Sequence, residues 1–533
     1  MKLKISNPLF LFSFVLSLVF VREILFLFYD STQSPDFDKY RDYIAYFYGL
    51  KDSTGRDQGI FYYYLHSQYL YLFNSGINEN NLSFYLSRTI QDLNFFLHII
   101  GSLGTYKLLK FLNYKKFSIL ASLIVLNFFP LSISNRITYK PEILAFALLP
   151  WIIYCFEAYK SEKSVKYFFF SIPLIVALFT SKGSVLGMVG LFLFLTYFKL
   201  VFSLQKKHLI LLFLSFVILL SAVTYEDIQA NDVSLLNVTH DEKYNNKAEL
   251  KNIYSLNFVK LMKSPTRDDH SGSMIALTLL DIFGDYFDLY WDNDATSLFK
   301  NRKEVFLFDQ TNKIKPPKID FQNQTVTIFF QKITDVYFRE FIGLIFSLIF
   351  LLILLNHILF RKTNSRLVMM PIYGVIILLI MTVGGFPVPN WDPLIGDTVK
   401  PFYYSFFVFL SLTIVLSNYF SKKYVAILFL LVYIPFSMYL IGFPKKNVND
   451  ELLFRSNQYS YLCEINTYTF TGLNNFDKDL CVTKSLEFKD QEFSFDYNNR
   501  PKFKILNTFL ALLSSLSIYT LQKSKLRSKI NKS

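Results

Sequence analysis

The chain has 533 residues, of which 52% are hydrophobic and only 18% charged, against about a quarter charged in a soluble domain. Its net charge of +14 invites a nucleic-acid reading, but the apolar residues form runs too long for a soluble core. The basic residues, moreover, cluster by position along the chain, which assigns them to membrane topology and leaves no nucleic acid among the expected partners.

A spanning helix needs about 20 mostly apolar residues, because the hydrocarbon layer is roughly 30 Å thick. In chain order the spans are expected at 7–28, 93–112, 117–134, 143–159, 167–180, 185–203, 208–224, 341–360, 367–385, 402–420, 424–443 and 503–521. The expected fold is therefore an all-α polytopic membrane protein of about twelve helices. The first run is longer than the apolar stretch of about 7–15 residues in a cleaved signal, and it continues past Arg22-Glu23 through Phe28. It reads as a retained helix.

With the N-terminus inside, the short cytoplasmic segments hold Lys2, Lys4, Lys107, Lys110, Lys115, Lys116, Lys160, Lys163, Lys166, Lys199, Lys206, Lys207, Arg361, Lys362, Arg366, Lys422 and Lys423. Lys and Arg accumulate on that side of short loops. Both termini are then cytoplasmic, and three large polar loops face outside. The expected units are a membrane module at 1–224, containing loop one (29–92), an outer loop at 225–340, membrane helices at 341–443, an outer loop at 444–502, and a last helix with a basic tail at 503–533. Richness in Lys, Asn, Ile, Phe and Tyr suggests a bacterial chain, and hence the inner (plasma) membrane.

Loop one carries two aromatic stretches. Phe37, Tyr40, Ile44 and Phe47 recur at helical spacing, with Asp38, Lys39, Arg41 and Asp42 on other faces, as in a helix lying in the membrane interface. Residues 60–73 form the second stretch. The plainer alternative is that both helices only cap the bundle. Further on, Thr180-Ser181-Lys182-Gly183-Ser184 follows the short span 167–180, either a tight turn or the edge of a substrate site. Gly183, Gly187 and Gly190 suit close helix packing.

Among the three cysteines, Cys155 falls inside a span as an apolar residue, while Cys463 and Cys481 share the 444–502 loop, where a disulfide would suit an oxidising compartment. The six histidines have no metal-ligand spacing, and no phosphate-binding glycine loop or nucleophile elbow occurs.

The sharpest chemical feature is Ser34-Pro35-Asp36-Phe37-Asp38-Lys39-Tyr40-Arg41. Two carboxylates so spaced can hold a hard divalent cation, or one can act as a general base; a solvated acidic loop is the alternative. Asp36-Phe37-Asp38 at the start of a first outer loop, followed by aromatic helices, resembles the GT-C superfamily of membrane glycosyltransferases. That resemblance covers topology, the acid pair and the outer loops. It implies a polyprenyl-phosphate sugar donor, a glycan or lipid acceptor, and a base or metal-ligand role for Asp36 and Asp38, with Mg or Mn as the cation.

Such a donor needs cations for its leaving phosphate. Asn135-Arg136-Ile137-Thr138-Tyr139-Lys140-Pro141-Glu142 reads as a short outer turn carrying two bases where the charge rule expects none. Arg136, Lys140 and Lys182 are the phosphate candidates, with Lys400 a further one; Arg41 and Glu142 join the expected substrate-binding set, and snorkelling to headgroups is the alternative for each base. In loop two, Asp285 and Trp291 lie in an aromatic and acidic run suited to sugar binding, or to an interfacial helix with an acidic turn.

Two rival functions share this architecture. An O-antigen-type polymerase or ligase would lean on outer-loop arginines such as Arg267, Arg302 and Arg339. A lipid-linked glycan flippase or other transporter would want polar groups near the midplane, whereas the spans read as nearly uncharged at their centres.

Overall fold

The computed structural model describes residues 7–28, 37–51, 59–73, 76–204, 206–231, 256–263, 270, 273–283, 325–361, 365–383 and 401–441. Among these every regular element is helical. The expected span 503–521, the whole 444–502 loop with Cys463 and Cys481, and most of 225–324 lie outside the described residues.

Ten helices form the N-terminal module: α1 (Asn7–Phe28), α2 (Phe37–Tyr48), α3 (Phe61–Phe73), α4 (Glu79–Phe111), α5 (Lys116–Asn127), α6 (Pro130–Ile137), α7 (Glu142–Glu162), α8 (Lys166–Phe179), α9 (Gly183–Phe202) and α10 (Lys206–Asn231). Beyond them come Thr325–Asn356, which runs into a π turn at His357–Arg361, then Met370–Val383, Ser405–Tyr419 and Lys423–Ile441. The segments Pro8–Leu25, Glu142–Glu162, Gly183–Val201, Phe341–Phe360 and Lys423–Leu440 are long and apolar enough to cross a bilayer.

The apolar pattern of α1 explains its setting. Phe10, Phe14, Leu18 and Val21 face the core, while Phe12, Leu16 and Phe20 point outward and stay exposed. A helix apolar on both faces is disfavoured in water but suits a bundle edge in lipid. The outward Ile210, Phe213 and Ile218 of α10 repeat the arrangement. The chain is in these respects an integral α-helical membrane protein.

Several boundaries differ from the sequence expectation, among them the helix Thr325–Asn356, which begins well before 341, and α10, which runs to Asn231 and not 224. Helix α4 begins at Glu79, not 93, and its 33 residues span about 50 Å, more than the thickness of a hydrocarbon layer. The run 117–134 is not one straight span. Pro130 starts a new helix, and α5 and α6 meet at 61°. Helix α7 packs along α4 because Gly101 and Gly104 leave room: a Cβ on Gly101 would come within 2.6 Å of the Phe146 ring, and one on Gly104 equally close to Trp151. The Trp151 indole N–H donates to the Ile100 carbonyl at 3.1 Å across this contact.

Helices α2 and α3 lie against each other and against α4. Tyr40, Tyr43 and Ile44 of α2 are buried with Tyr62, Tyr63 and Leu70 of α3, whereas Tyr64, Tyr71 and Phe73 stay exposed. Cys155 is buried inside α7 as an apolar residue.

Candidate functional site

The segment between α6 and α7 is the centre of a buried polar cluster. Asn94 of α4 holds it: its side-chain amide donates toward the carbonyls of Asn135, Arg136 and Thr138 at 3.0–3.3 Å. Its side-chain oxygen accepts from the Tyr62 hydroxyl at 3.0 Å, which ties α3 to the same point. Tyr139 adds a second tether by donating to the Leu86 carbonyl at 2.7 Å. Burial pushes the Tyr62 phenol upward in pKa; the Asn94 hydrogen bond pulls against it, while Glu142 and Tyr40 add to the rise.

On this fixed segment Lys140 is only 3% exposed and donates to the Tyr40 hydroxyl at 2.8 Å, with its ammonium 4.9 Å from the centre of that ring. Tyr40 in turn stacks on Tyr63 at 5.3 Å. Two residues on, Glu142 occupies the first turn of α7, where the helix dipole favours a carboxylate. It is fully buried; Oε1 accepts from Lys182 at 2.8 Å, and Oε2 has no hydrogen-bond partner among the described residues. Lys182 also lies 5.0 Å from the centre of the Tyr403 ring. The turn before Lys182 is pinned to loop one, since the Thr180 carbonyl accepts from Ile60 at 2.6 Å and Phe61 at 3.1 Å. Gly59 permits that approach, because a Cβ there would collide with the Thr180 and Ser181 carbonyls.

Lys140, Glu142 and Lys182 are thus brought together, with Tyr40 supplied by α2. Asp38 belongs to the first turn of that same helix, its Cα about 5.5 Å from that of Tyr40 by helix geometry. Its side chain, all of Asp36, and Asp285, Trp291 and Lys400 lie outside the described residues. Arg41 sits on the partly exposed side of α2, 3.4 Å from Asp42, which also pairs with Lys51 at 2.9 Å.

Arg136 is placed differently from its expected position in an outer turn. It belongs to α6, is 1% exposed, and points at backbone: Nη2 donates to the Asn127 carbonyl at the end of α5, and Nε to the Ser132 carbonyl at 3.3 Å. A cation at a helix C-terminus answers its unsatisfied carbonyls, so here the guanidinium stabilises the break. The spans are also less neutral inside than they read. Asn127 donates to Ser17 at 2.7 Å and accepts from His98 Nε2 at 2.9 Å, all three buried. Near the other end of α1, Arg22 pairs with Asp92 at 2.8 Å, both side chains buried.

Sequence reasoning missed Asn94, Asp92, Tyr62 and Asn127 as organisers. A signal was present for each: a polar residue in or beside an apolar run has to find a partner inside the bundle. Its partners could not be named without the fold. No family model matches the chain, and neither a curated protein nor a solved structure gives a match.

Proposed function

We propose that the protein is a membrane glycosyltransferase that moves a sugar from a polyprenyl-phosphate donor to a glycan or lipid acceptor at the extracytoplasmic face. In this reading the chain has about twelve spans with both termini cytoplasmic, in a bacterial inner membrane. The supporting observation is the convergence of Lys140, Glu142 and Lys182 with the start of the helix that carries Asp38.

The chemistry assigned to these residues balances simply. The acceptor hydroxyl oxygen attacks the anomeric carbon, the bond from that carbon to the phosphate oxygen breaks, and the phosphate leaves on the polyprenyl carrier. The hydroxyl proton passes to Asp36 or Asp38 as general base. Lys140 and Lys182 take up charge developing on the phosphate, and low local dielectric strengthens their effect. Glu142 holds Lys182 in position. A divalent cation, Mg or Mn, belongs to this proposal through Asp36 and Asp38. Among the described residues no group of three or more His, Cys, Asp or Glu gathers.

Glycan synthesis by the purified protein, given a lipid-linked donor and an acceptor, tests the reading. Asp36→Asn or Asp38→Asn is expected to abolish transfer in protein that still inserts, and Lys140→Met to lower it by about 10²-fold. Full activity in both aspartate variants would remove the assignment.

One observation favours a second reading, a lipid-linked glycan flippase: His98 and Arg136 are buried inside the bundle beside a broken helix. Transport in vesicles without glycan product would select it.

A further inference from the structure

We infer that the expected outer loop 225–340 re-enters the membrane, and that its helices Phe258–Lys263 and Met274–Asp281 present an apolar face to lipid acyl chains. Leu261 of the first helix joins Ala276, Leu279 and Leu280 of the second in one buried cluster with Leu344 of the Thr325–Asn356 helix. Phe283, just beyond, stacks on Phe346 at 5.6 Å and meets Phe129, at the α5–α6 break, edge-on at 4.8 Å. Its carbonyl oxygen lies 3.2 Å from where a Cβ on Gly343 would stand.

Those partners set the depth. The apolar span of the Thr325–Asn356 helix is Phe341–Phe360, so Gly343, Leu344 and Phe346 lie inside it by roughly 3–8 Å at 1.5 Å per residue. Helices packed at that level are within the apolar layer. Ile345, Ile349 and Leu352 point outward from the same stretch and are exposed, which marks its lipid side. The two loop helices carry that side on: Val259 is 64% exposed, Phe258 50% and Ile275 40%, although their neighbours Leu261, Met274 and Ala276 are buried. In water these outward side chains would be unfavourable, whereas against acyl chains they extend the lipid-facing surface.

The helix starts point the same way. Inside lipid no water meets a free N–H group, so the chain has to supply the acceptor. Ser273 Oγ accepts from the Ala276 N–H at 3.2 Å, and Asn257 Oδ1 accepts from the Lys260 N–H at 2.9 Å. Helices α5 to α9, by contrast, start without any side-chain cap. Within Met274–Asp281 the Thr278 hydroxyl donates back to the Met274 carbonyl at 2.9 Å, and Asp281 is buried. On the glycosyltransferase reading, Asp285 and Trp291 follow this segment in the sequence, so the loop that would bind sugar is anchored in the layer that holds a lipid-linked donor. The lipid contact does not depend on that reading.

The experiment places the photocrosslinker p-benzoylphenylalanine at Val259 or at Ile275 of the full-length protein, in nanodiscs of phosphatidylcholine and phosphatidylglycerol. Irradiation is expected to give adducts on phospholipid acyl chains at both positions, as at Leu352, the lipid-facing reference. Links to a second copy or to the chain's own residues in place of lipid would overturn the inference. So would absence of acyl adducts at both positions while Leu352 gives them. As an independent measurement, Val259→Asp is expected to lower the melting temperature in nanodiscs, because a carboxylate facing acyl chains is unfavourable, and Val259→Leu to leave it unchanged. An unchanged value for Val259→Asp would put the residue in water and overturn the inference.

Discussion

The Lys182 ammonium donates to Glu142 Oε1 at 2.8 Å, and the carboxylate that receives it has no exposed surface. The pair joins the first turn of α7 to the turn that precedes α9, so it is both a structural tie and the middle of the candidate site.

Breaking this pair from one side leaves a buried charge without compensation. Lys182→Met is expected to destabilise the protein by about 3–5 kcal/mol. Adding Glu142→Gln should recover most of that loss, because the remaining amide is neutral. Transfer activity should stay low in the double variant, since the cation is gone. Thermal melting and transfer rates of wild type, Lys182→Met and the double variant check this; recovery of both together would assign the pair a purely structural role.

Asn94 organises the segment that carries Lys140 and Glu142. Asn94→Leu removes its bonds to three carbonyls and to Tyr62, and is expected to cost about 2–4 kcal/mol. Tyr62→Phe removes one of those bonds and should cost about 1–2 kcal/mol. The double variant should fall short of the sum of the two, a coupling that melting of the single and double variants measures.

Gly59 and Gly190 make a contrasting pair. A methyl at Gly59 would strike the Thr180 and Ser181 carbonyls, whereas one at Gly190 meets the Phe179 ring at an ordinary 3.7 Å. Gly59→Ala is expected to separate loop one from the Lys182 turn, with loss of transfer and faster proteolysis between α2 and α3. Gly190→Ala should behave as wild type in both assays.

His66 supplies a pH prediction. It is buried between Tyr62 and Tyr139, and burial lowers its pKa from 6.5 to about 3. The unfolded chain therefore binds the extra proton first as pH falls. The stability contributed by the neutral ring is complete above about pH 6.5 and is lost progressively down to about pH 3, at about 1.4 kcal/mol per pH unit well below the unfolded value. His66→Phe should flatten this part of the melting-temperature profile. An unchanged slope would show that the ring already meets water or a proton acceptor.

The Arg22–Asp92 pair joins α1 to α4 inside the bundle. Asp92→Asn should lower the melting temperature more than Glu23→Gln, because Glu23 is partly exposed and Asp92 is buried.

Much of the architecture was legible in the chain itself. Apolar runs matched to bilayer thickness located α1, α7, α8 and α9 to within a few residues, and the helical spacing of Phe37, Tyr40, Ile44 and Phe47 anticipated helix α2, on which Tyr40 and Ile44 are buried. Arg136, Lys140 and Lys182 stood out because, on the expected topology, they fall where the charge rule predicts no bases. These features are local, set by periodicity and by the transfer of side chains from water to lipid. Partnership is not local. Only the fold decided that Lys182 answers Glu142 forty residues earlier, and that Asn94 anchors the segment beyond α6. It also turned Arg136 inward to the carbonyl end of α5, because a proline-started helix leaves unsatisfied carbonyls that a buried guanidinium can meet. Composition dictates that a buried charge must find a partner; packing chooses which one.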